Sequence, residues 1–112
     1  MASVYLAGPI STAKALDVIV WRTTAHRLLL AAGHDIFDPV VNELVNGVSL
    51  EDIRRTDLRM VDEADLVFFD ARPGPMSLGA AWEAGYAHAK GIPVVIIGDV
   101  QYRSWLKSGE GI

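Results

Sequence analysis

The chain has 112 residues, 51% of them hydrophobic, and a net charge of −4. That is enough for one small packed domain, too apolar for disorder, and lacking the clustered Lys and Arg that a polymeric nucleic-acid surface demands. Cysteine is absent, which excludes disulfides, thiolate chemistry and cysteine-ligated zinc together and suits a reducing cytoplasm.

The first residues, MASVYLAGPI, have no basic segment before their apolar run and do not read as a signal peptide. No apolar run approaches the roughly 20 residues of a membrane helix. Instead, SVYLAGPI reads as a buried strand that stops at Gly8-Pro9. A helix follows from about residue 14 to 32, with Leu16, Val20, Ala25 or Thr24, Leu28 and Ala31 at helical spacing and Gly33 as its C-terminal cap. HDIFDP is a short second strand, and residues 40–48 show no period and read as a loop.

Ser49 is a good N-cap for a second helix that runs to about Glu63, with Asp52 three residues on as a near capping box. ADLVFFDA is a third strand and RPGPM a loop. Ser77 then caps a third helix, ended by Gly91, before a fourth strand, IPVVIIGD. The remaining VQYRSWLKSGEGI is mixed. This alternation predicts a single doubly wound α/β domain over residues 1–112, flavodoxin-like or Rossmann-like, with a parallel sheet of four to five strands and helices on both faces. The continuous apolar runs LVFF and PVVII fit strands buried on both sides.

In such a sheet ligands bind beyond the carboxyl ends of the strands, where strand order reverses. Two loops at that edge, AGPISTAK and DARPGPMSLG, combine Gly and Pro with small hydroxyl residues and lead into helices, which is a geometry that attracts anions. Both also read as ordinary strand-to-helix turns. Neither is a Walker A loop or a GxGxxG fingerprint. His26, His34 and His88 lie far apart with no ligand spacing, so no metal site is expected.

Glu83 is the anomaly. It sits in SLGAAWEAGYA among small and apolar residues. Helical side chains lean toward the N-terminus, so Glu83 covers the turn of Gly79, whose missing side chain leaves space before the carboxylate. Leu78, Trp82, Gly85 and Ala89 form one stripe of this helix, read here as its core face. Glu83 with Gly79, Tyr86, Ala87 and Lys90 forms another. Either Glu83 is solvated and pairs with Lys90 or Arg72, or it lines a cavity that needs a carboxylate.

VYLAGPI, then TDLRMVDEADLVFFD, then PMSLGAAWEAGYAHAKGIPVVII together resemble the nucleoside 2-deoxyribosyltransferase family and its sister 2'-deoxynucleoside 5'-phosphate N-hydrolases. The resemblance runs from residue 4 to about residue 98, and its most specific part is Glu-x-Gly-Tyr-Ala at Glu83, Gly85, Tyr86 and Ala87. It implies chemistry at the N-glycosidic bond of a small nucleoside or nucleotide, without a cofactor, in a cytoplasmic homodimer or higher homo-oligomer.

By the same resemblance Glu83 is the nucleophile and passes through a covalent glycosyl-enzyme. Asp57, 26 positions earlier, is the second acid, and Tyr5 orients the nucleophile. Gly8, Ser11, Ser77, Gly79 and Asp70 line the sugar or phosphate side. The transferases are expected to carry an acid six positions before the glutamate, whereas this chain has Ser77, which leans toward 5'-monophosphates. For Tyr5 the plain alternative is a core aromatic, and for Asp57 a surface ion pair with Arg54 or Arg55. Asp70 either shapes the pocket or caps a turn. The rival function is a non-catalytic nucleotide-sensing module of the same fold. A phosphoribohydrolase of the Pro-Gly-Gly-x-Gly-Thr type ranks last, because PGPMSLG only loosely echoes its loop.

Overall fold

Four parallel strands, β1 (Ser3–Ala7), β2 (Asp35–Phe37), β3 (Leu66–Ala71) and β4 (Val94–Gly98), form one sheet in the order β2-β1-β3-β4 in the computed structural model. The connections are α1 (Ala15–Ala31), α2 (Leu50–Glu63) and α3 (Leu78–Ala89). The structure describes residues 2–8, 15–40, 48–71 and 78–98, with the backbone alone for 15–19, 71 and 98. Its fold is the doubly wound α/β architecture expected. The chain passes from β1 to β2 on one side and then crosses from β2 to β3 on the other side of β1, so strand order reverses between β1 and β3.

Alternation along the strands divides the core in two. Val4 and Leu6 of β1 pack with Trp21 of α1, and Ala25, Leu29, Ile36, Leu66, Phe68 and Ile97 join them. Tyr5 and Ala7 face the other way, with Val67 and Phe69, against Val61 of α2 and Ala80, Ala84 and Ala87 of α3. α1 therefore lies on one face and α2 and α3 on the other.

The caps follow the sequence. Ser49 Oγ accepts from the Asp52 N–H at 3.1 Å. Gly33 and Gly91 take φ of +85° and +78°, the left-handed conformation that ends α1 and α3. Ile92 N–H then donates to Ala87 O at 2.9 Å and His34 N–H to Leu29 O at 3.0 Å, which closes both helix ends.

Two helix faces depart from the periodicity reading. On α1 the residues turned to the sheet are Trp21, Ala25 and Leu29, while Val20 and Leu28 are 53% and 60% exposed. The helix is apolar on nearly every side, so periodicity could not set its rotation. On α3 the expected core stripe lies outside: Leu78 and Trp82 are exposed, and so are Gly85 and Ala89. The inner face is Ala80, Ala84 and Ala87, because alanines let the helix backbone approach the sheet closely. The large residues are left for the surface, where Arg54 stacks over the Trp82 ring at 5.7 Å.

α1 leaves the β3–β4 half of its face partly uncovered. A groove of about 490 Å³ lies there, lined by Val20, Trp21, Leu28, Phe68 and Ile97 among others. Among the described residues, no helix is long and apolar enough to cross a membrane.

Candidate active site

Glu83 lies on the inner face of α3, between the alanines, and is 9% exposed. It is not solvated. Lys90, its expected surface partner, pairs instead with Asp62 at 3.2 Å. Arg72 lies outside the described residues. What Glu83 meets is Tyr5, whose Oη donates to Glu83 Oε2 at 2.8 Å. Tyr5 is both a core aromatic and a carboxylate partner: its ring is wholly buried beneath α3, and its hydroxyl reaches the Glu83 carboxylate.

Asp57 is also buried, at 7% exposed, on α2. The surface-pair alternative fails for Arg55, which binds Glu51 at 3.1 Å and Asp52 at 3.3 Å. Two carboxyl groups are thus held in one water-poor region. Burial pushes Glu83 up to about 7, the Tyr5 hydrogen bond opposes it, the Asp57 charge adds to it, and Arg22 and Arg54 offset part of the rise. The Tyr5 hydroxyl is driven upward by burial and by the Glu83 and Asp57 charges, so it stays a donor at any ordinary pH.

Tyr86, the tyrosine of the Glu-x-Gly-Tyr-Ala signature, turns away from Glu83. Its Oη donates to Asp62 Oδ1 at 2.7 Å, tying α3 to α2 at an exposed position. Gly85 of the same signature is exposed, and a Cβ there would meet nothing within 4 Å, so nothing among the described residues explains this glycine.

Gly8 and Asp70 stand at the carboxyl ends of β1 and β3, where strand order reverses. A Cβ on Gly8 would lie 2.5 Å from Trp21 Cζ2 and 3.2 Å from Asp70 Cβ. Only glycine lets β1 pass so close to the indole. Gly8→Ala is therefore expected to destabilise the fold by about 1–3 kcal/mol, read as a lower urea midpoint. Asp70 is buried, and Gly79 is half-buried one turn before Glu83. Ser11 and Ser77, with Thr12 and Lys14, lie outside the described residues. The site residues the sequence singled out thus fall into a joined group of Tyr5, Asp57 and Glu83 and a second pair, Gly8 with Asp70, at the sheet edge.

Two buried charged residues were not foreseen. Arg22 of α1 is 3% exposed and forms an ion pair with Asp38, just after β2. His26 Nε2 also meets Asp38, at 2.9 Å. Arg22 stands among Thr23, Thr24, His26 and Arg27 and gives no signal of burial in the sequence, and sequence spacing alone does not bring it to Asp38. Among the described residues no group of three or more His, Cys, Asp or Glu is placed to hold a metal ion.

Within this doubly wound sheet the site is a buried carboxylate of α3, held by a tyrosine of β1 and accompanied by a second buried acid on α2. The profile of the nucleoside 2-deoxyribosyltransferases matches residues 4–105, and the chain belongs to that family. Its members are N-glycosidic bond enzymes, which cleave or transfer at the bond between base and sugar.

Among solved structures the chain is similar to a 2-deoxyribosyltransferase from Bacillus psychrosaccharolyticus, at 29% identity and a TM-score of 0.70, covering 87% of this chain and 72% of that one. The 2-desoxiribosyltransferase of Leishmania mexicana shares the fold at 21% identity and a TM-score of 0.73, covering 88% and 65%. The Clostridium botulinum CMP N-glycosidase shares it at 20% identity and a TM-score of 0.65, covering 86% and 68%. The chain thus spans about two thirds of the length of these structures. No curated protein sequence matches it.

Proposed function

We propose that the chain cleaves or transfers at the N-glycosidic bond of 2'-deoxynucleosides or their 5'-monophosphates, with Glu83 as nucleophile. The observation that carries this reading is the buried Glu83 carboxylate, fixed through Oε2 by Tyr5 and accompanied by Asp57. Glu83 Oε1 attacks the anomeric carbon on the face opposite the base. The bond to the base nitrogen breaks, its electron pair leaves with the base, and Asp57 orients the base or assists its protonation. Water, or a second base, then attacks the same carbon and frees Glu83.

A buried nucleophile titrating near neutrality suits this role, since its charge is poorly solvated before attack and is discharged on bond formation. The lean to monophosphates rests on Ser77 standing where the transferases are expected to carry an acid, because a carboxylate there would repel phosphate. Ser11 and Gly8 supply further sugar or phosphate contacts in this reading, Gly79 and Asp70 shape the pocket, and no cofactor takes part. The enzyme is read as cytoplasmic and as a homo-oligomer; the exposed Val20 and Leu28 beside Trp21 support an apolar association face.

The test is chromatographic. Each deoxynucleoside and each 5'-monophosphate is incubated with the protein, with and without a second free base. Base released from monophosphates alone is the expected result, and Asp57→Asn should slow it roughly 10²-fold or more. A new nucleoside formed only with the added base would replace hydrolysis by transfer. Nucleotide binding without any base release would overturn the catalytic reading in favour of a sensing module.

A further inference from the structure

β2 is shorter than the strand it flanks. Its last residue, Phe37, pairs with Tyr5, whereas β1 continues to Ala7. Beyond Tyr5 the carbonyls of β1 on the β2 side have no strand to bond. Alternate carbonyls of a strand point to the same edge, and Leu6 O and Gly8 O are such a pair. Arg22 takes both: Nη1 donates to Leu6 O at 3.3 Å and Nη2 to Gly8 O at 3.0 Å.

Nη1 also donates to Asp38 Oδ1, and Asp38 follows directly after β2. The guanidinium therefore stands in for the missing end of β2. It is held in place by stacking over the Trp21 ring at 5.0 Å, and its Nε has no partner. Lysine, a point charge on a flexible stem, cannot reproduce this fork.

We propose that Arg22 is a positioning residue for the Glu83 site: it splices the carboxyl end of β1, the strand that carries Tyr5, to Asp38 and places a buried positive charge there. The proposal rests on the reading of Glu83 as the reactive group. The buried acids are Asp38, Asp57, Asp70 and Glu83, and Arg22 is the buried cation among the described residues. The groups acting on Glu83 are Tyr5 from β1, Asp57 and Arg54 from α2, and Arg22 from α1. The flanking core residues of β3 and β4 are Val67, Phe69, Val94 and Ile96, which do not titrate. Removing the Arg22 charge thus disfavours the Glu83 carboxylate.

The experiment titrates the Glu83 side-chain carboxyl carbon by NMR in the full chain, alongside the acid limb of kcat/KM for base release. Arg22→Met should raise the midpoint by about half a pH unit or more. Arg22→Lys should keep it near the parent value, and Arg22→Gln, uncharged but still a donor, should raise it as Met does. A residue with a purely structural role would alter stability in all three variants and leave the midpoint where it was; that result overturns the proposal. Equal shifts in Arg22→Lys and Arg22→Met would overturn it too, by tracing the change to lost packing rather than charge.

If Arg22→Met does not fold, Arg22→Gln decides, because it keeps a donor for the β1 carbonyls and must still move the midpoint upward. The two readings separate. Moving midpoints without base release from the parent would sink the enzymatic function and leave the Arg22 assignment standing. Base release with unmoved midpoints would sink the Arg22 assignment alone.

Discussion

Glu83→Gln is expected to abolish base release, by at least about 10³-fold in kcat/KM, and at the same time to make the protein more stable above pH 7. The two effects share one cause. Glu83 is buried among alanines and a tyrosine ring, so its charged form is poorly solvated and it titrates near 7 instead of at 4.5. A folded-state value raised above the unfolded one means that the native state holds its proton longer.

Below about pH 4.5 both states are protonated and Glu83 carries no penalty. As pH rises toward 7 the unfolded chain ionises first, and stability falls. Above 7 the full cost is present, about 3 kcal/mol as an upper figure. Glutamine keeps an acceptor for the Tyr5 hydroxyl but has no charge to bury. The variant should therefore melt higher than the parent at pH 8, with the gap closing toward pH 4. Thermal melts at the two pH values check this. Equal gaps at both would show that Glu83 is not a strained carboxylate, and retained base release would show that it is not the nucleophile.

Tyr5→Phe tests the other half of the pair. Activity that depends on the Glu83 carboxylate should fall on the acid side, with a limb near pH 7 in kcat/KM. The Tyr5 hydrogen bond lowers the Glu83 titration point, so its loss should shift that limb to higher pH. Phenylalanine preserves the ring that packs under α3, yet it leaves Glu83 Oε2 buried without its donor, which costs about 1–3 kcal/mol of stability. At pH 7 the rate should drop roughly 10-fold or more, part of it from the smaller carboxylate fraction and part from lost orientation. Raising the pH should recover the first part only. A limb that stays in place would mean that Tyr5 serves the core alone.

The strands were legible because strands covered on both faces read as continuous apolar runs, as LVFF does, although VVII forms the edge strand with Val95 43% exposed, and the helix ends because Ser49, Gly33 and Gly91 carry caps with specific geometry. Glu83 stood out in the sequence because a lone carboxylate among alanines has no surface reason to be there. Whether it faced water or protein, however, depended on the rotation of α3. Helical spacing assigned the core to Leu78 and Trp82, and the close approach of helix to sheet assigned it to Ala80, Ala84 and Ala87.

Only the folded chain brings residue 5 to residue 83, because that contact spans 78 positions and no local pattern encodes it. The same holds for Arg22. Its role arises from β2 ending at Phe37 while β1 runs on, a difference in strand length that becomes visible only when the two strands lie side by side. Local sequence could thus determine which segments are strands and helices, since propensity, caps and burial act within a few residues. The site itself was decided in three dimensions, where burial and nearby charge, set by residues distant in the chain, turn an ordinary glutamate into one that titrates near neutrality.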